Sequence, residues 1–568
     1  MASHTLSAVA ASAGIGTGKI FVVSSPDLSY EAGTCNDAPA EKERFEKAVN
    51  TFKEKILEKS DSLKEKAGPK EALILDRQLL LISDPSMSDE MLRLIAEGHS
   101  AEEAVDSVCN IFIRMFSGMD DELMCQRAAD ILDVRNSMLK LLLGLKDTDI
   151  ASVPKGSILV ARDLPPSLTS QIVRENINGI ITEEGTRTSH IAIIARAMEI
   201  PLVCGAERVL ELAKDGDTAI VDGDQGLALI NPDREELDKY SELFQKRQRK
   251  IARLSQYLGK ETVTADGQKL SLFCNIGTPE EAARVLEQSG EGIGLFRSEF
   301  LFMDKKAEPS EEEQFEAYKK IAEMMEGRPV IVRTLDVGGD KDIPYLNLKK
   351  EENPFLGLRA IRYSLAERQR FSLQLRALLR ASAYGKVKIM IPLVTCIEEL
   401  RSVKSMVEDI KTELDGQHIP YDKNIEIGCM IETPSASLIA DILAREADFF
   451  SIGTNDLIQY TMCADRGNSG LSYLDSPFHP AVLRSVRHII GCGKNAGIPV
   501  GMCGEAAADP LLIPLLISFG LKEFSVDPSS VLKCRHDIHK WNKKDADELT
   551  EKIMSLDNID EIKKTLAD

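Results

Sequence analysis

The sequence predicts a multidomain α/β protein: an α/β domain with an inserted α-helical domain, followed by a (β/α)8 barrel. Three observations predict it. Eight short apolar strand candidates recur through the last 300 or so residues, with helical segments between them. A second group of short strands fills residues 146–232. Between an N-terminal strand and that group, residues 28–145 show only helical periodicity. A length of 568 residues, at roughly 150 per domain, allows about three or four such units.

In chain order, residues 1–27 hold one short apolar run, GKIFVVS, which reads as a strand. From 41 to 66 the apolar residues Phe45, Val49, Phe52, Ile56 and Leu63 recur at helical spacing. Helical patterns continue through 71–82, 89–96, 101–117 and 122–145, punctuated by Asp84-Pro85 and Gly118. The runs SILVA, GIIT, PLVC, TAIVDG and LALIN then read as strands, with helix-like pieces at 166–176 and 189–199. If the strand near residue 20 joins them, 1–27 and 146–232 form one α/β domain and 28–145 is an insertion. A charged helical linker is expected over 233–260, and the barrel over 261–568. Its strands are expected at 271–276, 292–297, 329–334, 387–394, 425–431, 449–453, 498–503 and 523–527. The same alternation would also suit an open, doubly wound sheet.

Composition narrows the function. Lys+Arg total 70 against Asp+Glu 91, a formal charge of −21, which argues against non-specific binding of nucleic acid or anionic membranes. No stretch of about 18 apolar residues occurs, so no membrane span is expected. The N-terminus lacks the basic and apolar regions of a signal peptide. The 11 cysteines show no metal-type spacing and read as reduced thiols of a cytoplasmic protein, mostly in cores, Cys274, Cys429 and Cys463 among them.

In a barrel, polar residues at the C-terminal ends of the strands form the active site. Here they are Asn275, Arg297, Arg333 with Asp336, Glu432, Asn455 with Asp456, and Cys503 with Glu505; Arg466 follows shortly after the sixth strand. The fourth strand brings Pro392 and no charge. Two arginines suit a phosphate and a third a carboxylate, because the guanidinium fork donates paired hydrogen bonds. Glu432 and Asp456 offer hard oxygen ligands of the kind magnesium takes, one or two carboxylates with water and substrate oxygens. The set describes a site for a small phosphorylated acid with a divalent metal. A second centre is GTRTSHIAIIAR, where Thr188, Ser189 and His190 precede a helical run, Gly185 permits an unusual turn, and Ser189 is placed to cap the helix. His190 is one of eight histidines, and its local pattern alone does not single it out.

The combination does. GTRTSHIAIIAR resembles the phosphohistidine motif of the phosphoenolpyruvate-utilising enzymes. GIGLFRSEFLFM, VRTLDVGGDK, EENPFLGLRAIR, IETPSA, FSIGTNDLIQY, ADRGN and GMCGEAA resemble the barrel motifs of the same superfamily, in the same order. The full architecture resembles the Enzyme I family of the bacterial phosphotransferase system, over nearly the whole chain. The resemblance implies phosphorylation of His190 by phosphoenolpyruvate, release of pyruvate, and transfer to the histidine-containing phosphocarrier protein HPr, the first step of sugar uptake. It implies Arg297, Arg333 and Asn455 on the phosphate, Arg466 on the carboxylate, Glu432 and Asp456 on Mg2+, and Cys503 as the acid that protonates the enolate. Thr169 would fix the His190 tautomer, and Asn275, Arg359 and Glu505 would support the site. The 28–145 domain would dock HPr, the α/β phosphohistidine domain would swivel, and the barrel would form a homodimer. The chain departs from the family pattern at Thr186, where a second glycine is usual, at Pro165, where threonine is frequent, and in LLISDPSMSDEM, which is less acidic than its counterpart.

Overall fold

The computed structural model describes all residues except 1–2, 24–27, 31–36, 67–68, 118–121, 146–149, 151–152, 170, 188, 304–306, 339–342, 347, 350, 467 and 568. The chain divides into two compact units, Met1–Gln248 and Arg249–Asp568.

The first unit is built on an eight-stranded sheet. Its strands are β1 (His4–Ser7), β2 (Val9–Ser12), β3 (Ile15–Val22), β4 (Ser157–Ala161), β5 (Ile177–Thr182), β6 (Leu202–Cys204), β7 (Thr218–Asp222) and β8 (Leu227–Ile230). Their order is β1-β8-β7-β3-β4-β5-β6-β2. β3 pairs parallel with β4, Lys19 opposite Ser157 and Val22 opposite Val160, so the chain leaves the sheet after β3 and re-enters it on the neighbouring strand. The excursion builds α1 (Ala38–Lys66), α2 (Pro69–Ile82), α3 (Pro85–Ala96), α4 (Ala101–Ser117) and α5 (Glu122–Leu142). Asp84 and Pro85, expected as a break, start α3: Asp84 caps it by accepting from Ser86 N at 2.8 Å, and Pro85 takes the first turn, where no amide donor is needed. Phe45, Phe52, Ile56, Ile131 and Met138 from the helices share one core with Leu159, Ile180 and Ile191.

Three expectations need correction. The N-terminal segment contributes three strands and not one. The stretch 166–176 is only a one-turn α6 (Pro166–Thr169) and a separate 3-10 turn at Arg174–Asn176. Cys463 is exposed, whereas Cys274 and Cys429 are buried as expected. α7 (His190–Ala197) and α8 (Val209–Leu212) follow, and α9 (Arg234–Ser255) carries the charged linker sequence.

The second unit is a closed barrel of eight parallel strands: β9 (Ser271–Ile276), β10 (Ile293–Arg297), β11 (Val330–Arg333), β12 (Val387–Ile391), β13 (Ile427–Ile431), β14 (Phe450–Gly453), β15 (Val500–Cys503) and β16 (Glu523–Val526). β16 pairs with β9, Phe524 opposite Leu272, which closes the ring and excludes the open sheet. Alternation along the strands sends one set of side chains out to the helices. The other set, Leu295, Ile331, Met390, Met430, Phe449 and Cys503, forms a separate buried cluster. No described helix is long and apolar enough to cross a membrane.

Candidate active site

A cavity of about 360 Å3 opens where β10, β11, β13, β14 and β15 end. Its lining includes Arg297, Arg333, Asp336, Arg359, Glu432, Asn455, Asp456, Arg466 and Cys503, nine of the residues singled out from sequence. Glu299 joins them. Asn275 and Glu505 do not. The Asn275 amide donates to Ser525 O at 3.1 Å and its carbonyl accepts from Ser525 Oγ at 2.6 Å, tying β9 to β16 at the barrel seam. Glu505 is exposed, at the start of a 3-10 turn after β15.

The charges sort into pairs. The cavity holds four arginines and four carboxylates. Arg333 bonds Glu299 and lies 3.3 Å from Asp336 Oδ2. Arg359 bridges Asp336 at 3.1 Å and Asp456 at 3.0 Å and also donates to Tyr460 Oη at 3.0 Å. Burial works against the Arg333 charge, but Glu299, Asp336 and Glu432 outweigh it and hold its pKa above the ordinary value. Among the described residues, Arg297 and Arg466 make no ion pair, so these two guanidinium groups remain for an anion.

Glu432, just past β13, is buried. Burial, followed by the charges of Asp456 and Asp336, pushes its pKa up to about 8. Its Oε1 accepts from Leu393 N at 2.7 Å, so the turn after β12, a strand end that brings no charge, contributes a backbone donor. Its Oε2 lies beside Gly453, where an added Cβ would stand only 2.4 Å away. Asp456 keeps one oxygen, Oδ1, without a hydrogen-bond partner among the described residues. No group of three or more potential protein ligands for a metal occurs among the described residues. Two carboxylates in mutual repulsion, one with an unsatisfied buried oxygen, suit a cation that draws its other ligands from water and substrate. Cys503 ends β15 and is buried; its thiol is pushed up to about 11 by burial and remains protonated at neutral pH.

The first unit holds the other centre. Gly185 has φ of 108°, which favours glycine and sets the turn before α7. Ser189 occupies the N-cap position, but its hydroxyl donates to Thr186 O at 2.8 Å and does not cap the helix. Thr188 lies outside the described residues. His190 is the first residue of α7, with its side chain 13% exposed. Thr169 is buried at the end of α6, which packs against α7. The sequence reading missed Asp130, on α5: its Oδ1 stands 3.7 Å from His190 Nδ1. RAADILDVRNS carried this residue, but nothing local ties position 130 to position 190. Burial, then the charge of Arg77, lowers the His190 pKa, against the pull of Asp133. The ring is therefore neutral and able to act as a nucleophile.

Models of the phosphoenolpyruvate-utilising enzymes match along the chain: the N-terminal domain over 7–127, the mobile domain over 153–226 and the phosphoenolpyruvate-binding domain over 251–543. The chain is 44% identical to the phosphoenolpyruvate-protein phosphotransferase of Geobacillus stearothermophilus over 559 residues, 98% of this chain and 97% of that protein. It is 43% identical to that of Bacillus subtilis over 558 residues, 98% of each. The chain belongs to the phosphoenolpyruvate-protein phosphotransferase family. The family's phosphoenolpyruvate-binding model spans β9–β16, with the arginine-rich cavity, and its mobile model spans β4–β7, with Gly185, His190 and α7.

Proposed function

We propose that His190 takes the phosphoryl group of phosphoenolpyruvate held in the barrel cavity, releases pyruvate, and passes the group to HPr. The observation that carries this reading is the joining of two arginines that make no ion pair among the described residues, Arg297 and Arg466, to buried Arg333, Glu432, Asp456 and Cys503 in one cavity.

Phosphoryl transfer asks for alignment and for cations around the equatorial oxygens. Arg297 and Arg333, with Asn455, bind the phosphate, and Arg466 grips the carboxylate. Glu432 and Asp456 would hold Mg2+, which supplies positive charge against the substrate oxygens. The enolate leaving group takes its proton from Cys503, whose thiol stays protonated across the physiological range. Asp336 and Glu299 act through the arginines they pair with. Arg359 locks Asp336 and Asp456 in place. Neutral His190 attacks phosphorus with one ring nitrogen, and Thr169 is placed to help fix the tautomer.

HPr docks on the helical domain, 28–145, and the domain carrying His190 swivels about the linker at 233–260, since one histidine has two stations to serve. The barrel forms a homodimer, and the enzyme works in the cytoplasm at the head of sugar uptake. The test is incubation with labelled phosphoenolpyruvate, Mg2+ and HPr. Acid-labile, alkali-stable label on the enzyme, then on HPr, lost in His190→Ala, supports the reading; label on HPr with His190→Ala would overturn it.

A further inference from the structure

The Asp130 carboxyl is buried, its side chain 3% exposed, and Oδ1 makes no hydrogen bond among the described residues although it lies 3.7 Å from His190 Nδ1. A hydrogen bond needs a separation of about 3 Å, so a shift of under roughly an ångström would join the two groups. The charged groups acting on this pair are Arg77 on α2 and Arg127 and Asp133 on α5. Asp133 accepts from Gln78 Nε2 at 2.7 Å, and Asp163, before α6, also senses Asp133. A permanent carboxylate at 130 would repel a phosphoryl group on the neighbouring ring; a carboxylic acid would not.

We propose that Asp130 is the proton donor for discharge of phospho-His190, its carboxyl passing a proton to Nδ1 as the phosphoryl group leaves Nε2 for the carrier. This rests on the reading of His190 as the phosphoryl acceptor. The Nε2–P bond breaks with its electron pair returning to Nε2, and a new P–N bond forms on the carrier imidazole. His190 ends as neutral imidazole with its proton on Nδ1, and Asp130 ends as a carboxylate that water reprotonates. Without that proton the leaving group would be an imidazolide anion, a much poorer one. Burial, resisted by Arg77 and aided by Asp133, pushes the Asp130 pKa up to about 7, so the acid form is well populated at neutral pH.

The full-length enzyme is charged with labelled phosphoenolpyruvate and Mg2+, freed of substrate, and mixed with HPr in a quenched-flow series from pH 6 to 9. Rates are read only on labelled molecules, so any misfolded fraction drops out. The wild type should discharge fastest below pH 7 and slow about tenfold per unit above it, as the acid form is lost. Asp130→Asn should take up label within a few-fold of the wild-type rate, discharge about a hundredfold more slowly, and lose the pH slope. Wild-type discharge and slope in Asp130→Asn, or equal losses in charging and discharge, would overturn the inference. No label on wild-type His190 would overturn the functional reading beneath it.

Discussion

The Glu432 carboxylate and Gly453 are in direct contact: Oε2 stands 2.4 Å from where a Cβ at position 453 would be. The glycine ending β14 thus makes room for the carboxylate that follows β13. Gly453→Ala should displace Glu432 with little effect on the fold. We expect phosphorylation by phosphoenolpyruvate to need roughly tenfold more Mg2+ for half-maximal rate, read from a magnesium titration. An unchanged requirement would remove Glu432 from the metal site.

The raised Glu432 pKa also predicts how stability varies with pH. The folded pKa of about 8 lies above the ordinary 4.5, so the folded state holds a proton that the unfolded chain releases. Stability attributable to this residue is therefore full below about pH 4.5 and falls as pH rises towards 8. Thermal unfolding of Glu432→Gln against the wild type should show the variant gaining relative stability from pH 5 to pH 8. Mg2+ should raise the wild-type midpoint more at pH 8 than at pH 5, because it favours the ionised carboxylate. Parallel pH curves for the two proteins would contradict this.

Arg297 contributes a guanidinium with no ion pair among the described residues. Arg297→Ala should slow phosphorylation by phosphoenolpyruvate roughly a hundredfold, the usual cost of removing charge stabilisation at a reacting group. Phosphorylation of the same variant by phospho-HPr should persist, because that exchange does not use the barrel cavity. Quenched labelling in both directions separates the two, and loss of both would point to misfolding.

Cys503 faces a barrel interior where burial keeps its proton in place. Cys503→Ala should slow pyruvate formation about ten- to a hundredfold while leaving the barrel intact. Coupled detection of pyruvate, with circular dichroism as the control, reads both. An unchanged rate would assign the enolate's proton to another donor.

The barrel was legible because most of its strands are short, nearly continuous apolar runs, as a sheet covered on both faces requires. The rim was legible for the same reason: a polar residue straight after such a run, as at Arg297 or Glu432, lies at a strand end. Strands His4–Ser7 and Val9–Ser12 were not, since HTLS and VAAS are short, weakly apolar and lie at the sheet's edges. Asn275 satisfied the strand-end rule yet serves the barrel seam, and Glu505 satisfied it yet is exposed. Arg359 follows no strand; only its motif pointed to it, and its bridge between Asp336 and Asp456 is a tertiary fact. Asp130 is the clearest omission, because its meeting with His190 depends on helical segments inserted into the sheet between β3 and β4.

The central claim is that one imidazole carries the phosphoryl group. Mass spectrometry of the enzyme after incubation with phosphoenolpyruvate and Mg2+, under conditions that preserve phosphoramidates, tests it most directly. The account predicts a single added phosphoryl group on the peptide containing His190, absent from His190→Ala. Modification of a different side chain, or none in the wild type, would contradict it.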